Sequence, residues 1–407
     1  MTALRLGLLG VATFVYVTFE LLPVGLIGDI AEDLDVSQGR VGLLVSGYAV
    51  VAGLCTIPGV RLVARWPRAR AVQGALAVLL VAAVVATVAT SYPAMVLSRV
   101  LAALTHGILW SLVAPAAASL VPRERAGMAT AAVFGGATAA SVVGSPLATF
   151  VGEATDWRVA AGGLAALVAL TLVGLVVTLP AEPSTPQSSE GAHLLDSAGR
   201  GDGLHRLLGP TAGSLLVLYA LAVVVVSAHF TSFTYVAPIA RRALDGVDMP
   251  LLLAGFGVAG AVATLVVGRV LDARPVGSTV TAVAAMLVGT AGLAAALSLG
   301  GTGSSLLVGL VLFASVAVWG AAFAAIGPCY QAGVMRLAGE HVDTASAVYV
   351  TCFQVGIATG SGLGALLVGI DVGVLPVVSA VACAVALVLT LLRRDVYAAR
   401  STVGTRA

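Results

Sequence analysis

Three ionisable side chains stand inside long apolar stretches of the sequence. Glu20 lies in the first stretch, and Arg99 and His106 share the fourth. A charged side chain at the centre of a bilayer costs about 2.5–3.5 kcal/mol by insertion scales, so such residues usually mark a function. A carboxylate can carry a proton if its proton affinity changes with its surroundings, and imidazole titrates near neutral pH. We therefore expect Glu20, Arg99 and His106 to handle protons.

The composition is too apolar for a soluble protein. Of the 407 residues, 59% are hydrophobic and 10% are charged, whereas soluble domains carry about 25% charged residues. A helix needs about 20 apolar residues to cross a bilayer, and twelve stretches of that kind occur. Their apolar residues are continuous rather than alternating, as in helices. The sequence predicts an all-α membrane protein with 12 transmembrane helices.

We number the twelve predicted spans from the N-terminus. They cover residues 5–28, 40–60, 71–90, 93–120, 127–151, 158–179, 211–238, 250–270, 278–299, 304–328, 345–369 and 374–392. Span 1 contains Glu20 and lacks a small-residue cleavage site. We therefore expect it to be retained rather than removed as a signal peptide.

The arginines between the spans predict the orientation. The chain has no lysine, and with the N-terminus inside, sixteen of its 21 arginines fall on the inner side. Four fall on the outer side, and Arg99 lies within a span. Positive charge collects on the cytoplasmic side of membrane proteins. We expect both termini in the cytoplasm and, from the Ala- and Arg-rich composition, a bacterial inner membrane.

A polar stretch separates two sets of six spans. Residues 181–208 are rich in Pro, Ser, Gly and charge, which predicts a flexible cytoplasmic linker. The predicted domains are an N-terminal six-helix bundle (1–180), this linker, a C-terminal bundle (209–393) and a cytoplasmic tail (394–407).

Spans 4 and 10 show an internal repeat. Gly107 and Gly320 are 213 residues apart (320 − 107), and Pro115 and Pro328 keep that offset. The same offset relates Trp110 to Phe323 and His106 to Trp319, while Gly144 and Gly360 are 216 apart. A duplicated six-helix half suits alternating access, in which a central site opens to one face and then the other.

This architecture resembles the major facilitator superfamily. The loop after span 8 reads GRVLDAR, similar to the superfamily's loop signature, in which the Asp holds the outward-facing state shut. The loop after span 2 matches except that Val63 stands at the Asp position. The resemblance assigns a gating role to these loops through Gly59, Arg65, Arg68, Gly268, Asp272 and Arg274.

Within the superfamily, the chain resembles the twelve-span drug/proton antiporters, and more narrowly their sugar-efflux and chloramphenicol-resistance branch. Residues 18–50 (TFELLPVGLIGDIAEDLDVSQGRVGLLVSGYAV) and 98–110 (SRVLAALTHGILW) carry this resemblance. Span 5 matches part of the antiporter Gly-Pro signature, through Gly135, Gly144 and Pro146.

The resemblance implies a secondary transporter that exports small, largely apolar organic compounds in exchange for protons. Export of sugars or of an endogenous natural product stays open as an alternative. A membrane sensor that transports nothing is a further alternative, although the chain shows no soluble output domain.

The depths of Glu20 and Arg99 match in the predicted spans. Glu20 lies about 12 Å and Arg99 about 9 Å from the outer ends, at 1.5 Å per residue. Spans 1 and 4 are neighbours in the fold that the sequence resembles, so the two side chains could form an ion pair. The pair would either couple protons to transport or simply fix the packing of the helices.

Several polar and aromatic residues are candidates for lining a central substrate cavity, although aromatic residues in apolar helices usually serve packing. We expect the cavity to be lined by Glu20, His106, Trp110, His229, Tyr235, Trp319 and Gln354.

The sequence lacks the motifs that are typical of other functional classes. Without lysine there is no phosphate-binding loop of the Walker type, and no hydrolase triad or zinc motif occurs. The four cysteines are scattered through apolar runs. We expect no enzymatic activity, no cofactor, no metal, no nucleic-acid partner and a monomer in the lipid bilayer.

Overall fold

The computed structural model describes residues 2–122, 125–179, 212–301, 303–338 and 342–397. These residues form helices joined by turns, and twelve of the helices are long and apolar enough to cross a membrane. The predicted fold class is therefore confirmed. The predicted linker 181–208 and residues 398–407 of the predicted tail lie outside the described residues.

The twelve spans have the following bounds. In the first six-span half, called the N-half, they are Thr2–Gly25, Gln38–Leu62, Arg68–Thr87, Tyr92–Ala118, Ala126–Ala154 with a π-helical turn at Ala140–Gly144, and Trp157–Thr178. In the second, called the C-half, they are Ala212–Phe233, Met249–Val270, Pro275–Leu299, Ser305–Ala338, Val342–Val368 and Val374–Leu392. Short helices at Ile27–Asp33 and Val236–Ala243 follow spans 1 and 7.

Two predicted boundaries were wrong. Span 10 was expected to end at Pro328, yet it continues for three turns to Ala338. A transmembrane helix tolerates an internal proline when neighbouring groups satisfy the freed carbonyl. Span 7 was expected to reach residue 238, but it ends at Phe233, and a short helix begins at Val236.

Each half repeats one packing scheme. In the N-half, span 1 packs on span 5 and span 4 packs on spans 2 and 3. In the C-half, span 7 packs on span 11 and span 10 on spans 8 and 9. These pairs correspond when six is added to each span number. The packing therefore has the internal symmetry that the repeat in spans 4 and 10 indicates.

The two halves meet along spans 2 and 11 and along spans 5 and 8. The hydroxyl of Ser46 donates to the carbonyl of Ala358 at 2.8 Å. A Cβ at Gly39 would lie 2.7 Å from the carbonyl oxygen of Ala365. At Gly257 in span 8, a Cβ would overlap the backbone of Ser141, which lies in the π-helical turn of span 5. Glycine therefore brings the two halves into backbone contact.

The halves are closed against each other at the end away from the termini, here called the distal end. Arg241 follows span 7, and its guanidinium lies 2.6 Å from the carboxylate of Glu153 and 3.9 Å from that of Asp29. Both acids belong to the N-half. The bond of Ser46 to Ala358 and the contacts of Arg241 with Glu153 and Asp29 lie between mid-membrane and the distal end.

The predicted gating loops lie at the opposite end, near the termini. Gly59 lets span 2 approach span 4, because a Cβ there would sit 3.3 Å from Ile108. Gly268 faces open space. Asp272 and Arg65 are exposed, and Arg274 lines a groove of 670 Å³ between spans 8, 9 and 10. Arg68 begins span 3.

We predict that Arg241→Gln loosens the distal closure. Exposed ion pairs contribute about 0.2–1 kcal/mol each, so the ratio of closed to open distal ends should fall about two- to fivefold. Spin labels on cysteines replacing Glu32 and Asp245, in a variant without the four native cysteines, report the distance between the halves. A longer-distance population should grow.

Arg242→Gln is the matched control, because Arg242 is exposed next to Arg241 and forms no ion pair with a described carboxylate. An unchanged distance distribution in Arg241→Gln, or an equal change in the control, would contradict the assignment.

Candidate functional site

A helix-internal proline determines how Arg99 is used. Pro23 in span 1 has no N–H, so the carbonyl of Phe19, four residues earlier, loses its helical donor. The guanidinium of Arg99 in span 4 supplies the missing bond: Nη1 donates to Phe19 O and Nη2 to Glu20 O, both at 2.7 Å. Arg99 is 2% exposed. It therefore ties span 4 to the backbone of span 1 at the Glu20 turn.

This arrangement corrects the expected ion pair. Arg99 does approach Glu20, but it binds the backbone, and no Arg99–carboxylate contact within 4 Å occurs among the described residues. The guanidinium also lies over two aromatic rings, 5.2 Å from the centroid of Phe19 and 5.0 Å from that of Tyr48. Its charge remains close to the carboxylate without being neutralised by direct contact.

The carboxylate of Glu20 faces His106 instead. Oε2 of Glu20 lies 3.8 Å from Nδ1 of His106, and the two side chains are 21% and 16% exposed. The hydroxyl of Tyr48 in span 2 lies 2.9 Å from the same Nδ1. An acid and an imidazole thus lie side by side and partly exposed within the N-half.

Tyr16 completes this group, which we call the polar cluster: Tyr16, Glu20, Tyr48, Arg99 and His106. The hydroxyl of Tyr16 donates to the carbonyl of Ala102 at 2.5 Å and lies 2.9 Å from Oγ1 of Thr105. Neither Tyr16 nor Tyr48 is among the site residues predicted from the sequence. A signal existed, because Tyr16 precedes Glu20 by four residues, which places both on one helix face.

Trp110 lies beside the polar cluster. Its ring is 6.1 Å from His106 and stacks on Phe134 of span 5 at 5.7 Å and 22°. The side chain is half-buried. The indole nitrogen is buried without a hydrogen-bond partner. Trp110 thus lies where a wall of the predicted cavity is expected.

The C-half carries aromatic rings where the N-half carries the polar cluster. The imidazole of His229 is parallel to the ring of Phe323, with centroids 3.4 Å apart and an angle of 4°. Phe233 stacks on the same imidazole at 4.7 Å, and Trp319 meets it edge-on at 5.1 Å. Phe256 lies 6.0 Å away. We call His229, Phe233, Phe256, Trp319 and Phe323 the aromatic box.

Three predicted cavity residues of the C-half are buried. His229 and Trp319 are 1% and 0% exposed inside the aromatic box. Tyr235 is also 0% exposed and lies near the distal end, packed against Gly42 and Gly364, with its hydroxyl donating to Ser361 O at 3.0 Å. Tyr235 therefore seals spans 2, 7 and 11 together, and the expectation that it lines the cavity was wrong.

Gln354 also lies where the two halves meet. It is 9% exposed, and its Cβ packs 3.5 Å from the position that a Cβ on Gly53 of span 2 would take. Of the contacts named here between spans 2 and 11, that of Gln354 is the farthest from the distal end.

The span 5 signature residues differ in their packing. A Cβ at Gly144 would overlap Thr18 of span 1, whereas Gly135 has open space around it. The neighbouring Gly136 packs directly on Gly10, a contact that the signature did not predict. Pro146 follows the π-helical turn, which accommodates the missing N–H of the proline. These contacts fix span 5 against span 1.

The described part of the chain offers no cluster of three or more His, Cys, Asp or Glu side chains that could hold a metal ion. The polar cluster contains a single carboxylate and a single imidazole. Both are groups that can form hydrogen bonds and can take up or release a proton.

The comparisons agree with this architecture. The model of the Major Facilitator Superfamily matches residues 8–361. A chloramphenicol efflux pump of Mycobacterium tuberculosis is 38% identical over 372 residues, covering 90% of this chain and 86% of the relative. A "Probable sugar efflux transporter" of Mannheimia succiniciproducens is 28% identical, covering 88% of this chain and 86% of that protein.

A solved nucleoside transporter has a similar fold, with a TM-score of 0.76 at 13% identity, over 97% of this chain and 100% of that structure. The chain belongs to the Major Facilitator Superfamily. It is a multi-pass membrane transporter of small molecules.

We predict that Arg99 stabilises the fold through the carbonyl that Pro23 leaves free. Arg99→Ala leaves a buried carbonyl without a donor, which costs roughly 1–3 kcal/mol. Adding Pro23→Ala restores an N–H for Phe19 O and should recover part of the lost thermal stability. Melting of the purified protein in detergent measures both effects.

Pro58→Ala serves as the control, because Pro58 also interrupts a span but lies on an exposed face of span 2. If Pro23→Ala restores no more stability to Arg99→Ala than Pro58→Ala does, the guanidinium does not act through Phe19 O.

Proposed function

We propose that the chain is a proton-coupled exporter of small, largely apolar organic compounds of the drug or antibiotic type, working by alternating access. The observation that carries this proposal is the position of the Glu20 carboxylate. It lies 3.8 Å from His106 and is 21% exposed within an apolar bundle. The name of the mycobacterial relative, 38% identical, supports export and an antibiotic substrate.

The arginine distribution supports cytoplasmic termini in a bacterial inner membrane. The distal end then faces outward, and the contacts of Arg241 hold it closed. The conformation is therefore inward-facing. Because Glu20 and His106 retain exposure in this state, a cytoplasmic substrate can reach them and a proton can leave towards the cytoplasm.

Proton coupling follows from the neighbours of Glu20. In the inward-facing state, the ionised carboxylate has the charge of Arg99 on its own backbone turn and the imidazole of His106 beside it. When the distal end opens, outside water reaches the carboxylate and can protonate it. The inward proton gradient and the membrane potential, about 2.3 kcal/mol per charge per 100 mV, then drive the cycle towards export.

A change in the protonation of Glu20 reaches span 2 through the hydrogen bonding of His106 and Tyr48. The hydroxyl of Tyr48 and the carboxylate of Glu20 both face Nδ1 of His106. Neutral imidazole with its proton on Nε2 accepts a hydrogen bond from the Tyr48 hydroxyl at Nδ1, whereas protonated imidazole donates a hydrogen bond from Nδ1 to the carboxylate of Glu20. A change of protonation therefore changes a hydrogen bond between spans 2 and 4. Span 2 forms the contact with span 11 that must open.

Export of sugars or of an endogenous natural product is the second candidate. The relative from Mannheimia, at 28% identity, supports it by name. The aromatic rings of both halves favour the apolar class, because flat apolar ligands stack on such rings. Monomeric function is part of the proposal, since each chain contains both halves of the alternating-access unit.

We predict that Glu20→Gln separates binding from energy coupling. In everted vesicles, the wild type should accumulate chloramphenicol when a proton gradient is present and lose it after an uncoupler is added. Glu20→Gln keeps the shape of the side chain but cannot ionise. Uphill accumulation should fall at least about tenfold, as for a group needed at each turnover, while exchange of labelled for unlabelled compound continues.

Glu32→Gln is the matched control, because Glu32 is exposed in the short helix after span 1. Accumulation in the wild type that survives the uncoupler would refute proton coupling. Full uphill transport by Glu20→Gln would remove Glu20 from the mechanism.

A further inference from the structure

Three members of the polar cluster, together with Trp110, occupy positions in the N-half that are equivalent to four members of the aromatic box in the C-half. Adding 213 to Tyr16, Glu20, His106 and Trp110 gives residues 229, 233, 319 and 323. Those positions hold His229, Phe233, Trp319 and Phe323, four of the five members of the aromatic box. The ring contact between Tyr16 and His106 (5.9 Å) has its counterpart between His229 and Trp319 (5.1 Å). The two halves therefore place different chemistry at the same place in the fold.

The equivalent positions differ in hydrogen bonding. Tyr16 and His106 have their polar atoms bonded within the N-half. Their counterparts do not, because Nδ1 of His229 and Nε1 of Trp319 are buried without a partner. Buried polar atoms in native proteins nearly always have a hydrogen-bond partner. A buried atom without one in the protein is therefore a candidate for binding a ligand. The aromatic box thus contains an unused indole donor and an unused imidazole nitrogen.

The rings of the box differ in freedom. Trp319 is fixed, because a Cβ on Gly289 of span 9 would sit 2.7 Å from its own Cβ. His229 is equally buried. Phe323 is half-buried, and it lies 6.1 Å from another half-buried ring, Phe353 of span 11. Of the two rings stacked on His229, Phe233 is buried and Phe323 is only half-buried, so Phe323 is the one that can more readily leave the imidazole face.

Building on the proposed export function, we propose that the aromatic box is a closed subsite for the aryl ring of a transported compound. The ring of the ligand replaces Phe323 on the face of His229. An acceptor oxygen on that ring, such as a nitro or carbonyl oxygen, takes the hydrogen bond from the indole N–H of Trp319. The class of ligand is a neutral aryl compound with an acceptor substituent.

With this subsite, the N-half exchanges protons and the C-half binds the aryl ring of the substrate. The N-half holds the carboxylate and imidazole that can exchange protons, beside the fixed charge of the Arg99 guanidinium. The box presents aromatic faces, which hold a neutral ring by stacking. A substrate seated in the C-half can then leave in the same cycle in which Glu20 takes up a proton.

The test measures binding to the purified full-length protein in detergent, with radiolabelled chloramphenicol and with its analogue that lacks the nitro group. Trp319→Phe keeps a ring but removes the N–H. Loss of one neutral hydrogen bond should weaken chloramphenicol binding about three- to tenfold, while binding of the analogue stays unchanged. Trp157→Phe is the matched control, because it removes a buried indole of span 6 outside the box.

A second variant tests the displaced ring. Phe323→Ala removes the side chain that competes with the ligand for the face of His229. All of the protein then has that face free, so both compounds should bind about two- to tenfold more tightly. Weaker binding of both compounds would mean that Phe323 is a fixed wall, and the displacement would be refuted.

Three results overturn the subsite: no binding by the wild type, equal binding of chloramphenicol by the wild type and Trp319→Phe, or equal weakening of both compounds by Trp319→Phe. Binding that discriminates as expected, in a protein that gives no uphill transport in vesicles, would support the subsite and refute the export function. The two proposals therefore fail separately.

Discussion

The bond between the guanidinium of Arg99 and the backbone of span 1 is the constraint on which the site depends. Pro23 leaves the carbonyl of Phe19 without a helical donor, and the buried guanidinium of Arg99 supplies that bond at 2.7 Å while a second 2.7 Å bond goes to the carbonyl of Glu20. A transmembrane segment must satisfy its backbone internally. Satisfying it from span 4 places a permanent positive charge at the Glu20 turn. The same side chain thus satisfies the backbone of span 1 and sets the charge around the carboxylate that we propose to carry the proton.

That constraint sets the geometry of the remaining polar cluster. Since the guanidinium is bonded to carbonyl oxygens, the carboxylate of Glu20 faces His106 and remains partly exposed. A direct ion pair would have neutralised the acid, and buried ion pairs are costly to break. An acid near a charge but not bonded to it can change its proton occupancy more readily as the bundle rearranges.

The sequence predicts more of the fold than of the site. Length, hydropathy and the loop signatures give twelve spans in two halves, because the bilayer restricts spanning segments to apolar helices. The sequence also indicates the importance of Glu20, Arg99 and His106. The spacing of Phe19 and Pro23 predicts that the carbonyl of Phe19 lacks its helical donor. It does not predict that Arg99 supplies the replacement, because that contact joins two helices that are remote in sequence. The burial of Tyr235 depends on contacts with Gly42 and Gly364, which are remote in sequence and could not be predicted.

The account predicts that the arrival of substrate and the departure of a proton are linked through Glu20. The direct measurement is proton release by the detergent-purified protein in weak buffer when chloramphenicol is added, followed with a pH-indicator dye over a range of starting pH. The wild type should release protons on binding at starting pH values where Glu20 is protonated, and Glu20→Gln should bind the compound and release none. Binding without proton release at any starting pH, or equal release by the variant, would contradict the account.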